Sequence, residues 1–246
     1  MFMQWTLVIF SVTLISAGSI SERIEGGSRA EISKFPWQAS LHIYGLLTCG
    51  AVIYSNEIVI TAAQYVLPEF PKIHSVRVGS SIDNTGGQEV QVAQIISHEN
   101  FKLKGVFAPN NIAVIRLQSK LILGNSVSPI PLADKAPSSG SLAWVSGYGR
   151  PEPDELKSQN LFYSALKIVN FDECQNLYKY LSEDMICAGA PGHSVYEKDV
   201  GDPLVSDGKL VGIVSFVSKW GLSKYPVVYA NVAELKPWIL NAIAKL

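Results

Sequence analysis

The sequence predicts an all-β fold that ends in one C-terminal α-helix, and three observations carry that prediction. Short runs rich in Val, Ile, Tyr and Thr recur between turn clusters along nearly the whole chain. The 13 Pro and 19 Gly suit many tight turns better than a helical bundle. Apolar residues spaced by three and four emerge clearly only at the end, through Val232, Leu235, Trp238, Ile239, Ala242, Ile243 and Leu246. With 246 residues, 48% hydrophobic and 17% charged, the chain can bury one large core or two small ones, which excludes disorder.

Taken in order, the elements begin with an apolar run from Trp5 to Ile15 followed by the small residues Ser16, Ala17, Gly18 and Ser19. That pattern reads as a secretory signal over residues 1–19, with a short propeptide at 20–23 and the mature domain at 24–246. The run is short for the roughly 20 residues of a membrane span, so an extracellular protein without a membrane anchor is expected. Strands are expected at Gln38 to Ile43, Gly50 to Ile53, Ile58 to Thr61, Ser75 to Val78, Glu89 to Ser97 and Ile112 to Leu117. They continue at Leu142 to Gly147, Leu161 to Ile168, Leu204 to Val205, Leu210 to Phe216 and Val227 to Asn231. A short helix is expected over Phe171 to Tyr180, where Asp172 suits the N-terminal dipole, and Pro237 is placed in the first turn of the last helix. No repeat or linker interrupts the series, which points to one unit of two layers or lobes, a sandwich or a barrel pair.

Twenty basic against 21 acidic residues, a net charge of −1, supply no electrostatic footprint for nucleic acid or an anionic membrane. The three cysteines, Cys49, Cys174 and Cys187, are an odd number for an extracellular chain, so one stays unpaired or pairs outside it. There is no Asn-x-Ser/Thr sequon, and no cofactor or metal is expected.

Several stretches together resemble the trypsin-like, chymotrypsin-fold serine protease family over Ile24 to Leu246. Arg23-Ile24-Glu25-Gly26-Gly27 is similar to the family's activation site, and Phe35-Pro36-Trp37-Gln38-Ala39-Ser40-Leu41 to its first barrel strand. Thr61-Ala62-Ala63 resembles the lead-in to the catalytic histidine, and Asn111-Ile112-Ala113-Val114-Ile115-Arg116-Leu117 the segment with the catalytic aspartate. Asp199-Val200-Gly201-Asp202-Pro203-Leu204-Val205 resembles the segment with the nucleophilic serine, and Tyr225-Pro226-Val227-Val228-Tyr229 and the last helix complete the order. The resemblance implies two antiparallel six-stranded barrels with the site in the cleft between them.

It also implies that the chemistry is gone. Acyl transfer in the family needs a serine nucleophile, a histidine base and an aspartate that orients it. Those positions are Val200, Gln64 and Asn111 here, and none can exchange a proton near neutral pH. Losing triad members costs on the order of 10⁴ to 10⁶ in turnover. Lys198 stands where the family has the glycine of its oxyanion hole, and Asp202 replaces a second glycine. The specificity pocket maps to Ser194 at its floor and to Val217 and Val227 on its walls, whose branched side chains should fill it. The resemblance pairs Cys174 with Cys187, leaves Cys49 opposite Tyr65, and replaces a third bond by Tyr196 and Trp220. Arg23-Ile24 survives as a cleavage site, and Asp199 as the acid that meets the new amino terminus in active members. The histidines His42, His74, His98 and His193 have no sequence relation to a nucleophile and read as packing or surface residues.

The expectation is a secreted, inactive homologue that acts by binding protein, and the loss of cysteines together with the triad looks most like the mite inactivated protease paralogues. Its expected partners are host or self proteins of a protease cascade such as complement, engaged by a monomer. The alternatives are a non-catalytic cofactor of an immune protease cascade, or residual endopeptidase activity from an unconventional site. The segments Tyr44 to Leu47, Lys102 to Asn110 and Arg150 to Lys157 are the candidate interface loops.

Overall fold

Alternating side chains along antiparallel strands put one face of each strand inside, and twelve such strands close two barrels. The computed structural model describes residues 27–103, 107–149, 160–193, 195, 197–216 and 225–246. It begins with a two-residue edge strand, β1 (Ser28–Arg29). The first barrel comprises β2 (Gln38–Ile43), β3 (Leu46–Ile53), β4 (Ile58–Thr61), β5 (His74–Val78), β6 (Gln88–Ser97) and β7 (Ala113–Leu117). Their order around it is β2-β3-β4-β7-β6-β5, closed by pairing of β5 with β2. Leu41, Ala51, Ile53, Val59, Val76 and Ile115 fill its interior and are wholly buried.

The second barrel comprises β8 (Leu142–Gly147), β9 (Phe162–Ile168), β10 (Met185–Gly189), β11 (Pro203–Ser206), β12 (Lys209–Phe216) and β13 (Val227–Asn231). The order β9-β10-β13-β12-β11-β8 closes on itself through the β8–β9 pair, and β1 adds to the edge of β9. Its core, with Leu204, Leu210, Ile213 and Tyr229, is continuous with Ile60 and Ile112 from the first barrel. One apolar cluster therefore spans the junction and fixes how the cleft-lining segments meet.

Two helices complete the fold. α1 (Phe171–Leu177) starts at Asn170, whose Oδ1 accepts from the Asp172 N–H at 2.9 Å and the Glu173 N–H at 3.3 Å. It ends three residues before the expected Tyr180, because Tyr178 leaves helical geometry and caps the turn. A disulfide joins Cys174 on α1 to Cys187 on β10, the pairing that the family resemblance implies. α2 (Val232–Lys245) buries Val232, Leu235, Ile239 and Ala242, the face that its spacing predicts. Pro237 lies inside α2, in the second turn rather than the expected first turn, because the helix begins at Val232.

Strand β10 is an addition to the sequence reading. Met185 to Ala188 are all buried, so the segment shows no apolar/polar alternation to mark it. Strand β3 begins four residues earlier than expected, after a hairpin turn in which Tyr44 and Gly45 both adopt positive φ, 52° and 76°. No helix among the described residues is long and apolar enough to cross a membrane.

Candidate functional site

The cleft is assembled from three chain segments far apart in sequence. Gln64 sits in a single 3-10 turn, Ala63–Tyr65, that follows β4. Asn111 precedes β7, directly after Asn110, which turns the chain with φ 55°. Ser215 lies on β12 in the second barrel. The fully buried Asn111 amide ties them together: its Nδ2 donates to Gln64 Oε1 at 2.7 Å and to Ser215 Oγ at 3.0 Å. Its Oδ1 accepts from the Gln64 backbone N–H at 3.0 Å. The network is neutral and ties the two barrels together, and neither amide in it can act as a base near neutral pH.

Val200 follows the 3-10 turn Glu197–Asp199 and is 2% exposed, inside the apolar cluster that spans the barrel junction. Its carbonyl accepts from the Gly50 N–H at 2.8 Å, which pins the turn to the first barrel. Gly201 has φ 91°, and a Cβ there would overlap Gly50 O and lie 2.6 Å from Thr61 Oγ1, so only glycine fits between the barrels. Lys198 is half-buried in the middle of the 3-10 turn.

The Asp202 side chain is fully buried. Its Oδ1 accepts from Gln38 Nε2 at 2.6 Å, and Gln38 Oε1 in turn accepts from Ser146 Oγ at 2.7 Å. Methyl groups at Gly50 or Gly147 would overlap its carboxyl, so these two glycines are what make room for it. Burial and the neighbouring Asp199 carboxyl hold the Asp202 carboxyl well above the usual carboxylate range.

The structure joins Gln64 to Asn111 by hydrogen bonds, buries Val200 in the apolar cluster that spans the barrel junction, and buries Asp199 next to it in the chain. Val227, on β13, is buried against the second core. Arg23, Ile24, Ser194 and Val217 lie outside the described residues, as do the signal and propeptide segments, Tyr196, Trp220 and the candidate loop at 150–157.

Other nucleophile and base pairs fare no better. Cys49 is buried, 3.5 Å from Thr61 Oγ1, and burial pushes its thiol up to about 12, far from a reactive thiolate. Contrary to the sequence reading, His42 does meet a serine: Ser40 Oγ at 3.0 Å and Asp83 Oδ1 at 3.1 Å. Both bind the same atom, Nε2, in a buried position, so the set cannot pass a proton across the ring. His193 also meets one, Ser164 Oγ, at 2.6 Å from Nδ1, but Ser164 is buried and no carboxylate among the described residues orients the ring. His98 is stacked on Trp238, and its pKa is lowered first by desolvation.

Sequence reasoning missed Ser215, which lies 104 residues from Asn111, and an aromatic rim beside it. Phe107 packs on Tyr178, Tyr180 and Phe216 with centroids 5.2 to 6.5 Å apart, and Tyr180 is 74% exposed. Only Phe107 falls within an expected interface loop.

Two six-stranded barrels, with a cleft built from segments of both, define the scaffold of a chymotrypsin-fold serine protease. The Trypsin family model matches residues 24–239, and the chain belongs to that family. It is 40% identical to trypsin alpha-4 of Lucilia cuprina over 91% of this chain and 89% of that one. Against trypsin delta of Drosophila erecta it is 36% identical over 97% and 99%. Among solved structures it is similar to the scabies mite inactivated protease paralogue S-D1, with a TM-score of 0.82 and 28% identity over 90% and 97% of the two chains. It also resembles mouse neuropsin, a serine protease, with a TM-score of 0.80 and 32% identity over 88% and 98%.

Proposed function

We propose that this chain is a secreted, catalytically inactive trypsin homologue that works by binding a protein of a protease cascade such as complement. The observation that carries the inactivity is Val200: the position aligned with the nucleophile holds two buried methyl groups and no reacting atom. Gln64 and Asn111 reinforce it, since the Asn111 amide donates to Gln64 Oε1 and to Ser215 Oγ and neither side chain can take a proton from a hydroxyl near neutral pH. Exposed apolar side chains supply the binding half of the reading. The aromatic cluster that Phe107 makes with Tyr178, Tyr180 and Phe216 exposes Tyr180, and Tyr44 and Leu46, 78% and 73% exposed, form a hairpin tip on the first barrel. Aromatic side chains offer large contact area at low entropic cost. Likeness to an inactivated mite paralogue supports the same direction, whereas the named relatives are trypsins.

Capture of purified complement proteins on immobilised protein tests the partner class. The reading expects binding that Tyr180→Ala or Tyr44→Ala weakens by about tenfold or more, as for an interface hot spot. Complement activity unaffected by a large excess of the protein, with no component retained, contradicts that partner class.

A further inference from the structure

We propose that Asp202 is an in-chain partner of Asp199, and that the two carboxyl groups share one proton and so lock the Val200 turn without cleavage at Arg23-Ile24.

The geometry places both acids in one closed space. Each is wholly buried, and the Asp202 N–H donates to the Asp199 carbonyl at 3.0 Å, which folds the two side chains to the same side of the turn. A methyl group on Gly147 would overlap Asp202 Oδ2 and lie 3.0 Å from Asp199 Oδ1, so the two carboxyls converge over that glycine. Asp202 Oδ1 is taken by Gln38, whereas Oδ2 is buried with no donor among the described residues reaching it. As a carboxylate oxygen it would be a costly orphan; as an O–H it becomes a donor, and the acceptor in reach is Asp199. A second buried group points to the same space: the Tyr229 hydroxyl makes no hydrogen bond among the described residues and lies in the field of both acids.

The groups around Asp202 disfavour a second negative charge there. Asp199 faces it from its own turn, Asp83 from beyond β5, Cys49 from β3, Tyr148 from beyond β8 and Tyr229 from β13; Gln38 and Ser146 are neutral. Arg77 acts on Tyr148. Burial and Asp199 raise the Asp202 carboxyl, so the folded chain keeps a proton that the unfolded chain releases near pH 4. Stability is then fully present below that value and falls as pH rises toward the folded value.

The test is equilibrium unfolding from pH 5 to pH 8 on the uncut chain and on Asp202→Asn, whose amide can accept from Gln38 and donate to Asp199. The proposal expects the unfolding constant of the unaltered protein to rise with pH relative to Asp202→Asn, by up to about tenfold per pH unit for as long as the folded carboxyl keeps its proton. Infrared difference spectra of the unaltered uncut chain at pH 7 should show a protonated carboxylic acid, and the Gly201 and Asp202 amides should be protected from hydrogen exchange. Parallel pH profiles for the two proteins overturn the proposal. If Asp202→Asn does not fold, the infrared band decides: its absence at pH 7 overturns the shared proton. Exchange protection found only in protein that begins at Ile24 overturns the claim that the lock needs no cleavage.

Discussion

Replacing Val200 with alanine removes two methyl groups from the cluster that joins the barrels. The side chain is 2% exposed, so the loss is that of a core position. At about 0.8 kcal/mol per buried methyl group the transfer loss is about 1.6 kcal/mol, and the residual cavity brings it to about 2 kcal/mol or more. For a chain of this size that corresponds to a melting temperature lower by roughly 4–8 °C. Val200→Ser loses the same packing and also buries a hydroxyl, adding about 1–3 kcal/mol where no partner meets it. Urea unfolding followed by tryptophan fluorescence measures both. A change for Val200→Ala below about 0.5 kcal/mol, the range of surface substitutions, would refute the view that this position has become part of the core.

Three further outcomes follow from the packing. Replacing Cys174 and Cys187 with serine should cost about 3 kcal/mol, the chain-entropy value for a loop of this length, read by the same denaturant titration. Gly147→Ala should lower the unfolding midpoint sharply because its methyl overlaps Asp202, and Asp202→Gly in the same chain should recover much of the loss; a double-mutant cycle without coupling contradicts the contact. Cys49 should resist iodoacetamide at pH 8 in the native protein and react once urea is added, measured by mass spectrometry, because burial keeps the thiol protonated.

What the sequence made legible follows the range of the interactions. Strand runs such as Gln38 to Ile43 and Leu142 to Gly147 carry their own pattern, and the structure places strands there with the same bounds. β10 carries none, since it is buried on both faces, and α1 stops early because a local backbone turn at Tyr178 outweighs the continuing polar and apolar spacing. Cleft residues are a different matter. Gln64 and Asn111 are 47 residues apart, and Gln38 and Asp202 are 164 apart, so no local period connects them. Family resemblance supplied the positions of Gln64, Asn111 and Val200, and it marked Asp202 only as a departure from glycine. That its carboxyl turns inward onto Gln38, into space left by Gly50 and Gly147, required the fold. The link between His42, Ser40 and Asp83 was hidden for the same reason, because Asp83 comes from a loop beyond β5.

The central claim is that a trypsin scaffold has kept its cleft and lost its chemistry, and the most direct measurement is hydrolysis of casein and a broad peptide library. Protein that begins at Ile24 would be assayed beside a variant carrying Gln64→His, Asn111→Asp and Val200→Ser. The account predicts no turnover by the unaltered protein above a matched purification blank, whatever the variant does. Reproducible turnover by the unaltered protein that co-purifies with it would contradict the account and require a nucleophile other than those the cleft presents.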